Sequence, residues 1–135
     1  MNDFALLLLR IVAGLGLASH GYNAIVNGGV EAIEGFAGFL GSLGFPAPMA
    51  FAWIAKGTEL VGGVCVAVGL LTRPAALLCA ATMFIAMLTA HRGDPFEEWE
   101  LALLYFAAMA VIAMTGPGKY SIVWDAFARD AKRNA

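Results

Sequence analysis

Apolar residues fall in four long runs separated by short polar interruptions, at roughly Phe4 to Ile25, Met49 to Leu71, Ala75 to Ala90 and Glu98 to Thr115. A helix of about 20 apolar residues matches a hydrocarbon core of about 30 Å; the third and fourth runs are on the short side. The connection from Val26 to Pro48 is polar and rich in glycine. Within it Phe36, Phe39, Leu40 and Leu43 recur at helical spacing behind Glu31 and Glu34, which predicts a short interfacial helix over Glu31 to Leu43. Glycine at every third position (Gly35, Gly38, Gly41, Gly44) weighs against that helix. Phe45-Pro46-Ala47-Pro48 breaks the chain and starts the next run. Thr72-Arg73-Pro74 reads as a tight turn with proline at the first helical position. His91 to Pro95 is a polar loop, and Gly116-Pro117-Gly118 ends the last run. The pattern predicts an all-α fold: a four-helix transmembrane bundle over residues 1–118, then a short amphipathic cytoplasmic tail over residues 119–135.

Composition strengthens this reading. Of 135 residues, 61% are hydrophobic and 13% charged, against about 45–50% and about 25% in an average soluble domain. A soluble core of this size could not bury the excess, whereas lipid can solvate it. A net charge of -2 offers no basic field for nucleic acid. The first run opens on Asp3 and shows no small-residue cleavage site before the polar connection, so it is expected to be a retained membrane helix. Basic residues orient the spans. Arg73, Lys119, Arg129, Lys132 and Arg133 share one side with both termini. The other side carries Arg92 among Glu31, Glu34, Asp94, Glu97 and Glu98. Both termini are therefore expected in the cytoplasm, with the first connection and the His91 loop facing outward. Trp53, Trp99 and Trp124 near the span ends fit an interfacial belt. Cys65 and Cys79 form no CxxC pair and read as small buried apolar residues on neighbouring helices.

Charged residues inside the runs change the picture most, because each costs about 2.5–3.5 kcal/mol at a bilayer centre on insertion scales. Arg10, Lys56 and Glu59 are such residues; His20, His91 and Glu100 lie nearer the ends of their runs. On the first helix Arg10, Ala13, Gly14, Leu17, His20 and Gly21 fall in one arc, while Leu8, Ile11, Val12 and Leu15 lie outside it. Small residues let membrane helices approach closely, so this arc should face the bundle interior. Ala52, Ala55, Lys56, Glu59, Gly62 and Gly63 share a face of the second helix, and Lys56 can pair with Glu59 three residues on. Glu100 opens the fourth, with Leu103, Leu104, Ala107 and Val111 beneath it. At about 1.5 Å per residue, Arg10 lies roughly 9 Å and Glu59 roughly 18 Å above the cytoplasmic edge, a gap that an extended arginine largely spans. Two readings stand. One is a polar network that fixes helix packing. The other is an outward-opening ligand or proton site formed by Arg10, His20, Lys56, Glu59, His91 and Glu100. Metal ligation finds no support in HxxxH or HxxE spacing.

The same residues carry a resemblance. Arg10 followed by His20-Gly21 resembles the first helix of the DoxX family. Glu59-Leu-Val-Gly-Gly63 and Gly69-Leu-Leu-Thr-Arg73 resemble its central signature. His91, Glu100-Leu-Ala-Leu and Gly116-Pro-Gly-Lys-Tyr-Ser121 resemble its closing half. A lysine that often follows the family's histidine-glycine motif is replaced here by Ala24. The resemblance implies a small multi-pass protein of the bacterial inner membrane. Some members are the membrane subunit of a thiosulfate:quinone oxidoreductase; others are linked to oxidative-stress complexes or to detoxification of quinones and catechols.

Three functions are expected from these features. The first is a redox-associated subunit that binds a quinone-like molecule, with His20, Glu59, His91 and Glu100 as proton donors or hydrogen-bond partners. The sequence has no flavin, haem or iron–sulfur motif, so electrons would come from a partner subunit or a diffusible donor. The second is a small-solute transporter or channel, which at this length would require a homo-oligomer. The third is a membrane scaffold or assembly factor whose charges are structural.

Overall fold

The computed structural model describes residues 2–89 and 96–121. It is all-helical, and five helices account for nearly all of these residues. Helix α1 runs Asp3–Tyr22 and ends in a wide π-helical turn, Asn23–Asn27. Helix α2 is Gly29–Ser42. Helix α3 begins at Pro48, passes through a second π-helical turn at Thr58–Gly62 and ends at Val68. Helix α4 is Thr72–Thr89 and α5 is Phe96–Thr115. Asn2 caps α1, its side-chain oxygen accepting from the Phe4 amide at 2.8 Å. Two helices are long and apolar enough to cross a membrane, at Asp3–Asn27 and Pro48–Val68. The apolar parts of α4 and α5 are shorter, Thr72–Leu88 and Glu100–Thr115.

The expected helix in the first connection is present and longer than predicted. Its glycines do not break it because Gly35 and Gly38 face open space, where the missing side chain costs no packing. Its buried stripe is Ile33, Ala37 and Leu40, packed on Ala52 of α3. The turn expected at Thr72-Arg73-Pro74 lies earlier, at residues 69–71. Gly69 takes a positive φ of 84° there, and the amides of Gly69 and Leu70 both donate to the Cys65 carbonyl at 2.9 Å. Thr72-Arg73-Pro74 is instead the first turn of α4. Proline fits there because the first helical amides have no intrahelical acceptor.

Helices α1, α3, α4 and α5 form a ring in that order, with α5 closing back on α1 and α2 lying against α3 and the end of α1. The small residues of α1 meet those of α3 backbone to backbone. A Cβ at Gly63 would lie 2.5 Å from the Gly14 carbonyl oxygen and 2.7 Å from the Ala18 amide nitrogen. At Gly21 it would lie 2.5 Å from the Leu60 nitrogen. The inward arc of α1 is the expected one except at His20. Arg10, Ala13, Gly14, Leu17 and Gly21 are buried, whereas His20 is exposed at the arc's edge, and Leu8, Ile11, Val12 and Leu15 are exposed as expected. On α5 the expected face is wrong. Met109 and Ile112 point inward, and Leu104 points out. Beyond Glu100 that helix is apolar on all sides, so periodicity carries no direction there. Below the middle of the ring Leu6, Ala13, Val66, Ala76, Cys79, Met109 and Ile112 form the core.

The close α1–α3 contact sets a test. Gly63→Ala is expected to push the helices apart and destabilise the protein by about 1–3 kcal/mol. Gly35→Ala, in open space, should be neutral or slightly stabilising. Thermal melts in detergent followed by circular dichroism distinguish them, and equal melting temperatures for the two variants would contradict the packing described.

Candidate functional site

Above that core the ring encloses a cavity of about 400 Å³. Its wall is mostly apolar, from Leu17 of α1, Phe36 and Leu40 of α2, Phe51 and Ile54 of α3, Met83 and Ile85 of α4, and Leu101 of α5. The polar groups are His20, Lys56, Glu59, Thr82 and Tyr105.

Each main polar group is placed by a local feature. Glu59 sits in the π-helical turn of α3 and is buried. Such a turn inserts an extra residue into the helical repeat and rotates the helix beyond it, a device that recurs at functional sites. Glycines flank it at Gly57, Gly62 and Gly63. A Cβ at Gly62 would come within 2.7 Å of Cys79 Sγ, and that sulfur donates to the Thr58 carbonyl at 3.7 Å. Lys56 Nζ lies 3.4 Å from both Glu59 carboxylate oxygens. The same ammonium stands 4.9 Å from the centre of the Phe36 ring on α2. His20 lies exposed at the edge of the inward arc of α1, one residue before the Gly21 contact, and lines the cavity from there. Its ring meets Tyr105 of α5 edge to face, with centroids 5.8 Å apart at 85°. The Tyr105 hydroxyl lies directly against Gly16, where a Cβ would collide with it.

The predicted site residues therefore divide. His20, Lys56 and Glu59 come together, and the Lys56–Glu59 pair forms at the expected spacing. His91 lies outside the described residues, as do Trp124 and most of the tail expected over residues 119–135. Glu100 is exposed, on the side of α5 opposite Met109 and Ile112, and does not line the cavity. Arg10 does not reach for Glu59. Only 1% exposed, it donates to the carbonyls of Val66 (3.1 Å) and Ala67 (3.1 Å) at the end of α3, and to those of Pro117 and Tyr120 (2.8 Å each) beyond α5. The α3 carbonyls are the negative end of a helix dipole and have no amide partners within the helix. They lie closer than any carboxylate, so the guanidinium is satisfied before it extends upward. Tyr105 was missed by sequence reasoning; its signal was a lone phenol within an apolar helix, directly across from the Gly16 gap. Among the described residues, no group of three His, Cys, Asp or Glu side chains is placed to hold a metal ion, and both cysteines are free.

The fold and cavity define an all-helical protein with membrane-length apolar helices and a mainly apolar chamber with a polar end. Residues 5–92 match the model of the DoxX family. The chain is 31% identical over 135 residues to a protein of Bacillus subtilis (strain 168) described as "Putative oxidoreductase CatD", covering 98% of this chain and 92% of that one. The chain belongs to the DoxX family, which is membrane-associated. No solved structure matches it.

The site sets two tests. Arg10→Ala removes the cation from four carbonyls and should cost about 3–5 kcal/mol. It should also speed amide exchange around residues 117–121, which hydrogen exchange with mass spectrometry reads. Unchanged exchange there would rule out the clamp. For Lys56 and Glu59, a double-mutant cycle with Lys56→Met and Glu59→Gln should give a coupling of about 0.5–3 kcal/mol in chemical denaturation. Simple additivity would mean the pair does not act as a unit.

Proposed function

We propose that this chain is a multi-pass protein of the bacterial inner membrane in which α1, α3, α4 and α5 all cross. In this reading α2 lies at the outer surface, and residues 1–118 form the membrane domain. Both termini are cytoplasmic, with the tail over residues 119–135 on that side. This placement rests on the excess of Arg and Lys beside the α3–α4 turn and the termini. The shorter apolar parts of α4 and α5 span with help from flanking residues or local bilayer thinning.

Within that frame the protein is a redox-associated membrane subunit that binds a quinone-like ring. The observation that carries this reading is the cavity, whose volume lies in the range of small-molecule sites. An apolar wall with polar groups gathered at one end suits a flat ring edged by oxygens. Glu59 accepts a hydrogen bond from a ring hydroxyl, or its proton. Tyr105 and His20 donate to a ring oxygen. Lys56 balances the charge that appears on Glu59 or on the ligand. Electrons come from a partner subunit or a diffusible donor, in keeping with a sequence that has no flavin, haem or iron–sulfur motif. Arg10's four carbonyl partners support the structural-charge reading for that residue, while the gathering of Lys56, Glu59 and Tyr105 at the cavity supports ligand binding for the others. The relative's description as an oxidoreductase supports the redox assignment.

Titration of the purified protein with a ubiquinone or menaquinone analogue should show saturable binding. Glu59→Gln should weaken it at least about tenfold, the loss expected when a hydrogen bond to a charged group is removed. Absence of saturable binding, or binding indifferent to Glu59→Gln, would overturn the assignment.

A further inference from the structure

The cavity reaches the outside of the bundle between α3 and α4 through the exposed lining residues Ile54 and Ile85. Helix α4 packs on α3 chiefly along Thr58–Val68, where Cys79 sits against Gly62 and the Thr58 carbonyl. Toward Pro48–Gly57 the two helices diverge. The facing walls there are Phe51 and Ile54 of α3 and Ile85 and Ala86 of α4. Ile54 and Ile85 line the cavity and are also 62% and 48% exposed on the outside of the bundle. Such wall residues mark a mouth between α3 and α4; Leu101 of α5 and His20 of α1, which also line the cavity, are exposed on the far side. The end of the chamber is walled by Phe36, Leu40 and Phe45 of α2 and its connection, and α2 is held on α3 by Ile33, Ala37 and Leu40 against Ala52.

Polarity is sorted along this path. The mouth between α3 and α4 is apolar, with the buried Glu59 and the partly buried Lys56 and Tyr105 within, while His20 lies exposed on the α1 side. A freely water-soluble ligand would have to shed its hydration at an apolar threshold before it met any polar partner. An amphiphile already dissolved in lipid meets no such penalty. We infer that the ligand is a lipid-dissolved amphiphile with an oxygen-bearing ring and an apolar chain. It enters sideways between α3 and α4, seats the ring at Glu59, and leaves the chain lying in the slot between Ile54 and Ile85. This inference rests on the membrane-spanning and ring-binding reading above, and adds to it the ligand's tail and its route.

The test compares a tailless dimethoxy-methyl-benzoquinone with its decyl derivative, by equilibrium dialysis against protein in lipid nanodiscs. Ile54→Trp and Ile85→Trp narrow the slot and should weaken the decyl compound about tenfold, while the tailless compound changes less than about twofold. Leu8→Trp, on the outer face of α1, should change neither. A decyl analogue with a photoreactive group at the end of its chain should label α3 around Phe51–Ala55 and α4 around Thr82–Ala86, and excess decyl quinone should suppress the labelling. Retained binding of the tailless compound shows that each variant is folded. Equal weakening of both compounds, weakening of neither, or labelling confined to other segments overturns the side entry. If the tailless compound binds and depends on Glu59 while the slot variants have no effect, only this inference fails. If neither compound binds the unaltered protein, the ring-binding reading fails with it.

Discussion

A buried arginine holding four backbone carbonyls fixes the lower half of this protein. Arg10 brings a permanent charge into the buried lower half of the ring, and among the described residues no carboxylate pairs with it. Two acceptors are the last carbonyls of α3, and two come from the glycine- and proline-punctuated segment after α5. These groups would otherwise lack donors, which is costly away from water. One side chain from α1 thereby ties the end of α3 to the end of α5. Gly69 leaves room for it: a Cβ there would stand 2.8 Å from Arg10 Nη2. The glycine serves the turn and the clamp together.

The upper half depends on what the lower half permits. The α1–α3 seam is tight from Gly14 to Gly21, and α3 crosses α4 closely at Gly62 and Cys79. With those contacts set, divergence of α3 from α4 beyond the crossing opens the chamber. Two π-helical turns bracket this level, one just after His20 on α1 and one containing Glu59 on α3. The regular spiral gives way at the height where polar side chains are presented to an apolar space. The group is compact because it needs few residues: an ion pair, an imidazole and a phenol.

The sequence was most informative where small and large residues segregate. On α1 and α3, glycine and alanine share an arc with the charges, so the inward faces and the pairing of Lys56 with Glu59 were legible. Beyond its first turns α5 is apolar on every face, so nothing in the pattern turned Glu100 outward. It was assigned inward although the helix turns it out, and Tyr105 was overlooked. Arg10 was recognised as buried, but its partners were not foreseen. Patterns of side chains reveal carboxylates and say nothing of spare backbone carbonyls at helix ends. The turn after α3 was displaced because Pro74 suggested a helix start, whereas Gly69 governed where the preceding helix stopped. The family resemblance read from the ordered motifs agrees with the match over residues 5–92.

Lys56 has two neighbours that compete for it. Its ammonium lies 3.4 Å from Glu59 and 4.9 Å from the centre of the Phe36 ring. One cation cannot tighten both contacts at once. Anything that neutralises the Glu59 carboxylate releases the ammonium toward the ring, and anything that adds negative charge in the chamber draws it away. Phe36 belongs to α2, the helix that walls the chamber's end. That cation–π contact is therefore tied to the charge on Glu59, while Ile33, Ala37 and Leu40 hold the same helix on α3 through apolar contact, so α2 answers to charge at Phe36 and to packing along its buried stripe.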